Sequence, residues 1–239
     1  MRRGFKPKEE VLALLKDKYD EIVSKVYNGN YLDAVQNFDE LAENKLRATL
    51  QLFYNKPRSR DQAWRTCKGS LYEYAVFKVL NQKLTEDPVL NRKFMAVMGD
   101  EALSSYKEQV AIKNWSEILP DADILIVEKS FVKAIISCKT SLRERLTETA
   151  FWKRELEKSP STKHIKLVFV TTDKDDELRI DANRYILLHV IDCTFVTHPQ
   201  KYKQLIEVYK EKYGNKQDFT RLISKVKSIT DIKDFLYTL

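Results

Sequence analysis

Pro120-Asp121-Ala122-Asp123-Ile124-Leu125-Ile126-Val127 is followed, after Glu128-Lys129-Ser130, by Phe131-Val132-Lys133-Ala134-Ile135-Ile136-Ser137-Cys138-Lys139. Two short apolar runs rich in β-branched residues, separated by a polar turn, read as a hairpin of two mostly buried strands. With the turn near Lys129, the acids that open the first strand and the Ser-x-Lys that closes the second fall at the same end. Alternation along each strand then brings one carboxylate and the Lys139 ammonium onto one face. A carboxylate beside a lysine at a basic cleft suits phosphodiester hydrolysis. The acid holds a hydrated Mg²⁺, which clamps phosphate oxygens and lowers the pKa of water, while the lysine orients that water or steadies the developing charge.

Upstream the chain reads as helical. Val11, Leu12, Leu15, Tyr19, Ile22, Val23 and Val26 recur at helical intervals between Lys8 and Tyr27. Asn28-Gly29-Asn30 supplies a stop and a new N-cap, and a second helix is expected from Tyr31 to Tyr54. Lys56-Pro57-Arg58-Ser59-Arg60 breaks the pattern as a basic loop in which Lys56, Arg58 and Arg60 suit phosphate contact. A third helix, about Asp61 to Leu84, carries Trp64, Cys67, Leu71, Ala75 and Val79 on one stripe. Lys93 to Asn114 is ambiguous. Downstream, a charged helix is expected over Ser141 to Lys158, a strand over Ile165 to Val170, another strand within Tyr185 to Val196, and two or three short helices from Tyr202 to Leu239. His189 falls in that last strand as a core residue, and His164, His189 and His198 are too scattered for a metal site. Strands, helices and strands in this order predict an α/β fold, a mixed sheet core flanked by helices. Residues 1–60 form a helical N-terminal region, in the same domain or as a small subdomain, and residues 61–239 the catalytic core.

Composition narrows the chemistry. Lys and Arg number 42 against 35 Asp and Glu, a formal charge of +7, which suits a polyanionic partner because each cation at a phosphate releases a counterion. Only five glycines occur, with no GxxxxGK or GxGxxG, so a nucleotide cofactor is not expected. The three cysteines, Cys67, Cys138 and Cys193, form no CxxC pair; reduced thiols in a cytoplasm are the simplest reading. Met1-Arg2-Arg3-Gly4-Phe5 has no apolar run behind it, so a secretory signal is not expected, and no stretch approaches a membrane span.

The hairpin resembles the PD-(D/E)XK nuclease superfamily: Pro120-Asp121 supplies the literal PD, Asp123 precedes an apolar strand, and Ser137-Cys138-Lys139 stands where acid-x-Lys is usual, with serine replacing the acid. Lys139-Thr140-Ser141-Leu142-Arg143-Glu144-Arg145 is similar to the K-S/T-S-x-R-D/E-R segment of a set of type II restriction endonucleases. The resemblance implies that Arg143 and Arg145 help to read guanines, with Thr140 and Ser141 beside them, and arginine is the best bidentate donor to guanine O6 and N7. Relatives that cut CCGG-type sites carry a glutamate farther along, where this chain has Phe151 and Trp152, so their target does not carry over. Glu148-Thr149-Ala150-Phe151-Trp152 resembles the Q-x-x-x-Y element of RecB-like nucleases. Glu73, on a helix ahead of the hairpin, is the favoured further ligand for metal or water, and Glu148 the second choice.

Each of these residues also has a plain structural reading. Asp121 and Asp123 suit a turn before a strand, Lys139 a strand-end charge, Arg143-Glu144-Arg145 a solvated helix face with local ion pairs, and Glu73 and Glu148 exposed helix positions. Their conjunction in order favours a Mg²⁺-dependent type II restriction endonuclease, with Mn²⁺ as a substitute, acting on double-stranded DNA as a homodimer matched to a palindromic site. The rival readings are a repair or structure-specific nuclease of the same fold, and a non-catalytic DNA-binding protein.

Overall fold

The computed structural model describes residues 9–113, 117–120, 122–142 and 145–239. Helix α1 (Glu9–Val26) buries Val11, Leu15, Tyr19 and Val23, one per turn, and carries Glu9 and Glu10 in its first turn, where the helix dipole favours acids. It ends where Asn28 and Gly29 take positive φ, 50° and 79°. Asn30 then accepts from the Leu32 and Asp33 N–H groups and caps the next helix.

The single helix expected over Tyr31–Tyr54 is instead four pieces in series: α2 (Tyr31–Gln36), α3 (Phe38–Leu41), a π turn (Ala42–Leu46) and a 3-10 turn (Arg47–Leu52). Asn37 interrupts it by donating its side-chain amide to the Asp33 carbonyl, the local competition that disfavours asparagine inside helices. The long helix α4 (Pro57–Thr85) starts earlier than expected. Pro57-Arg58-Ser59-Arg60 is its first turn and not a loop, with Lys56 the extended residue before it, because Pro57 sits at the opening position, where its missing N–H costs nothing and its fixed φ suits the helix.

Helix α5 (Pro88–Lys93), capped by Asp87, leads into strand β1 (Phe94–Met98), so the ambiguous stretch holds a sheet strand. After it come α6 (Asp100–Ser104), α7 (Lys107–Val110) and a small antiparallel pair, β2 (Ile112–Lys113) with β3 (Glu117–Ile118). The expected hairpin is β4 (Ile124–Glu128) and β5 (Phe131–Lys139), with Ile124 opposite Ile136 and a bulge between Ile126 and Val127. Its turn residues Lys129 and Ser130 both have positive φ, which matches the twist of the flanking strands. The chain continues through α8 (Arg145–Glu157), β6 (Lys166–Thr171), α9 (Asp181–His189), β7 (Cys193–Val196), α10 (Pro199–Tyr213), α11 (Phe219–Lys225), β8 (Val226–Ser228) and α12 (Ile232–Leu236).

Three expectations are corrected here. The apolar run from Tyr185 to Val196 is strand only from Cys193; its first part belongs to α9, since parallel β6 and β7 need a helical crossover between them. His189 accordingly ends a helix, half-buried with its ring 4.4 Å from that of Tyr185. The tail also holds β8, whose three residues are too short to show a period. The expected charged helix begins at Arg145, later than Ser141.

The six strands lie in the order β1-β4-β5-β6-β7-β8. Pairing is antiparallel from β1 to β5 and parallel from β5 to β8. Alternation divides the side chains between two cores. Ile124, Ile126, Ala134, Ile136, Cys138, Val168, Val170 and Phe195 pack with the helices that precede the sheet, α1 included. Leu125, Val127, Ile135, Leu167, Phe169 and Val196 pack with Leu146, Leu156, Leu187, Leu205, Tyr209 and Leu222 of α8 to α11. The product is a helix–sheet–helix sandwich. Strands β5 to β8 all end at the edge of the sheet where β4 begins, the place where open α/β sheets receive ligands.

This layering predicts where stability resides. Phe169→Ala, at a side chain fully buried in the second core, should lower the unfolding free energy by about 3–5 kcal/mol. Leu52→Ala, at a side chain 72% exposed, should change it by less than about 0.5 kcal/mol. Urea unfolding of the two variants measures the contrast.

Candidate active site

Asp123 stands just before β4 and Lys139 ends β5, so hairpin register sets their separation. The Asp123 N–H donates to the Ile136 carbonyl at 3.2 Å. Asp123 Oδ2 accepts from the Cys138 N–H at 2.6 Å and from Lys139 Nζ at 2.9 Å, and Oδ1 lies 3.3 Å from the same ammonium. Both side chains are only 8% exposed. Removing one partner of so secluded a pair costs about 3–5 kcal/mol, although the pair itself adds little net stability. Ser137 shares the Lys139 face of β5 by alternation; its hydroxyl is buried and has no hydrogen-bond partner among the described residues.

Lys139 opens into a cleft of about 750 Å³ between α4 and the ends of β5 and β6. On one wall α4 presents Asp61, Trp64, Arg65, Thr66, Lys68, Gly69, Ser70 and Glu73; on the other stand Thr140, Ser141, Arg145, Lys174 and Asp175. Glu43 and Arg47 extend the lining into the π and 3-10 turns. Glu43 accepts from Trp64 Nε1 at 3.1 Å and Lys68 Nζ at 3.0 Å, and Lys68 also reaches Asp39 at 2.7 Å. Burial alone would lower the pKa of the Lys68 ammonium, but its bonds to Asp39 and Glu43 outweigh that and raise it. A smaller hollow of about 340 Å³ continues past Glu43, Arg47 and Asp61 to Pro57 and Arg60.

The cleft gathers several expected residues and leaves others out. Lys139, Glu73, Thr140, Ser141 and Arg145 line it. Arg60 lies in the adjoining hollow, while Lys56, just before α4, and Arg58, on its opening turn, are exposed. Glu148 is exposed on α8 and is not among the described residues lining the cleft. Asp121 and Arg143 lie outside the described residues. His198 accepts from the Lys201 N–H and caps α10, while His164 is exposed.

Sequence reasoning missed Arg65, Lys174 and Asp175. Arg65 was within reach, since Asp61, Arg65, Gly69 and Glu73 recur every fourth residue and so form one stripe of a helix. Lys174 and Asp175 follow a parallel strand end, which only the sheet order reveals.

The donors suit a hard divalent cation. Asp123 offers a carboxylate against Lys139, behind the residues that line the cleft, Glu73 lines the cleft itself, and Mg²⁺ binds through one or two carboxylates together with water and substrate phosphates. Among the described residues no group of three or more His, Cys, Asp or Glu forms a cage made of protein alone.

Residues 102–222 match the family model described as BsaWI restriction endonuclease type 2. A Methanocaldococcus jannaschii protein named type II restriction enzyme MjaVIP is 36% identical over 156 residues, 59% of this chain and 67% of the relative. A Helicobacter pylori protein named type II restriction enzyme HpyAORF263P is 39% identical over 100 residues, 41% of this chain and 50% of the relative. The solved complex of restriction endonuclease PspGI with substrate DNA superposes with a TM-score of 0.64 at 15% identity, covering 100% of this chain and 96% of that one. That likeness shows the fold: the mixed sheet flanked by helices is restriction-endonuclease-like.

Beside the cleft, Asp173 follows β6 fully buried, with Oδ1 accepting the Leu178 N–H at 3.2 Å and Oδ2 without a hydrogen-bond partner among the described residues. Burial pushes its carboxyl up to about 6 from the ordinary 3.8. Between those two values the folded chain holds a proton that the unfolded chain has released, so stability falls as pH rises through that window. Asp173→Asn keeps the acceptor for Leu178 and tolerates the positive φ of 51°. The variant should match wild type at pH 4 and exceed it at pH 8 by about 2 kcal/mol, read by chemical denaturation at both pH values.

Proposed function

The chain belongs to the BsaWI family of type II restriction endonucleases, and we propose that Asp123, Lys139 and Glu73 form the centre with which it cuts DNA. The observation that carries this assignment is the Asp123–Lys139 pair, 2.9 Å apart, whose lysine lines a cleft that Glu73 also lines. Held by Asp123, the Lys139 ammonium orients the attacking water and balances the charge that builds on the phosphate. Glu73 accepts the proton of that water across the cleft as the new P–O bond forms and the P–O bond to the sugar breaks, and the leaving oxygen takes a proton from solvent. Because Ser137 offers a neutral hydroxyl where an acid is usual, Glu73 is the second carboxylate, and the exposure of Glu148 ranks it behind. Asp123 and Glu73 would hold Mg²⁺, or Mn²⁺ in its place, and the bound ion supplies Lewis-acid polarisation of the phosphate and a more acidic water.

The substrate is duplex DNA, and the PspGI neighbour was solved on its own substrate DNA. Arg145, with Arg143, Thr140 and Ser141, reads base edges, because a guanidinium pairs bidentately with guanine. Arg65 and Lys174 in the cleft, with Lys56 just before α4 and Arg58 and Arg60 on its first turn, hold phosphates. A palindromic site asks for a two-fold protein, so the working unit is a homodimer. Cys67, Cys138 and Cys193 are buried and form no disulfide, which suits the reducing interior of a cell. Among the described residues no helix is long and apolar enough to cross a membrane.

Unmethylated plasmid incubated with Mg²⁺ should give discrete fragments whose sequenced ends map the site. Lys139→Ala and Asp123→Asn should each lower the cleavage rate by about 100-fold or more; wild-type rates in both, with folding intact, would sink the assignment. Arg65→Ala should weaken specific and nonspecific duplexes alike and reduce the salt slope of log K by about 1. Arg145→Ala should instead remove about 1–3 kcal/mol of discrimination between the site and a one-base change, measured by competition binding.

A further inference from the structure

Glu177 lies behind the cleft and holds one of its walls. It belongs to a 3-10 turn, Glu177–Arg179, in the loop that leaves β6. Its Oε2 accepts the Leu142 N–H at 2.9 Å. The Leu142 side chain is fully buried in the second core, and its carbonyl accepts at 2.7 Å the N–H of Arg145, where α8 begins. On the other side of Ser141, Thr172 Oγ1 donates to the Thr140 carbonyl at 3.2 Å. The main chain between Lys139 and Arg145 is therefore gripped at two points from one loop.

That loop is itself stiffly built. Asn183 donates its amide to the Glu177 carbonyl at 2.8 Å, the Tyr209 hydroxyl donates to the Leu178 carbonyl at 2.6 Å, and Lys201 meets Asp176 at 2.7 Å. A carboxylate accepting a main-chain N–H is a stronger anchor than a neutral acceptor, and a negative charge beside the first turn of α8 is favoured by the helix dipole.

We propose that Glu177 is a positioning residue for sequence readout: by holding the Leu142 N–H it sets the height of the first turn of α8 over the substrate, and so where Arg145 meets a base edge. The inference rests on the reading of Arg145 as a base contact. Bidentate pairing tolerates only a narrow range of distance and angle, so an anchor three residues from the arginine governs discrimination more than affinity. A purely structural Glu177 would instead lower the melting temperature and slow cleavage of every site by the same factor.

The test compares kcat and KM of wild type, Glu177→Ala, Glu177→Gln, Glu177→Asp and Arg145→Ala on the mapped site and on duplexes with one base pair changed. Glu177→Ala should lower the ratio of kcat/KM between the two by about tenfold or more. Glu177→Gln keeps an acceptor oxygen and should stay within about threefold of wild type. Glu177→Asp keeps the charge but withdraws it by one methylene, so its ratio should also fall; it serves in place of the alanine variant if that one does not fold. An unchanged ratio in the alanine and aspartate variants, with the ratio lost in Arg145→Ala, overturns the role of Glu177 and leaves Arg145 as the base contact. An unchanged ratio in Arg145→Ala overturns the base-contact reading and the inference with it.

Discussion

The hydrogen bonds that Asp123 takes from the Cys138 N–H and the Lys139 ammonium close the open end of the β4–β5 hairpin, and the position of the site follows from that closure. Register in a sheet is usually specified by a buried face and a wet one, since a slip of one residue exchanges them. Here both faces are buried, Ile124 and Ile126 toward one core and Leu125 and Val127 toward the other. Apolar patterning alone thus says little about register. The polar closure at one end and the positive-φ turn of Lys129 and Ser130 at the other supply what it lacks. The same two groups proposed for the chemistry therefore also help to define the fold around them.

From β5 onward the sheet is parallel, and each strand delivers its carboxyl end to the same edge. Lys139, Thr171 and Val196 are successive partners along that edge. The cleft combines cations of two kinds. Lys68 and Arg47 are tied to Glu43, and these pairs shape the wall. Arg65, Arg145 and Lys174 come from α4, from the start of α8 and from the loop after β6, and so line the cleft from different elements. Phosphates and base edges require such convergence, which no one element supplies.

The hairpin was legible because two strands, their turn and their polar ends are contiguous in sequence. Lys139, Thr140, Ser141 and Arg145 followed from it, since they extend the same run. Glu73 was legible through resemblance, whereas its neighbour Arg65 needed the helical stripe to be read against a known partner wall. The break at Asn37 and the helical start at Pro57 turned on single side chains whose local bonding overrides periodicity. Tyr185 to Val196 misled because a crossover helix and a buried parallel strand are equally apolar, so that only topology divides them. Glu177 left no trace in the pattern: its partner Leu142 is 35 residues away and offers a main-chain N–H, which has no residue code.

At 29 residues, α4 is about 43 Å long, and it belongs to both the cleft and the core. Its first half lines the cleft, while its second half is bound to the opening helices through Lys78 with Asp20 and through Gln82 with the Tyr31 N–H. Ala63, Cys67, Leu71, Ala75, Val79 and Leu84 are buried along its whole length. The molecule thus has an unequal pair of jaws. One is a beam anchored in the interior, and the other is connecting chain held by individual side-chain bonds. Under the proposed reading of the cleft, α4 is the jaw fixed along its length, and the other keeps its place through the bonds that Glu177 and Thr172 make to it.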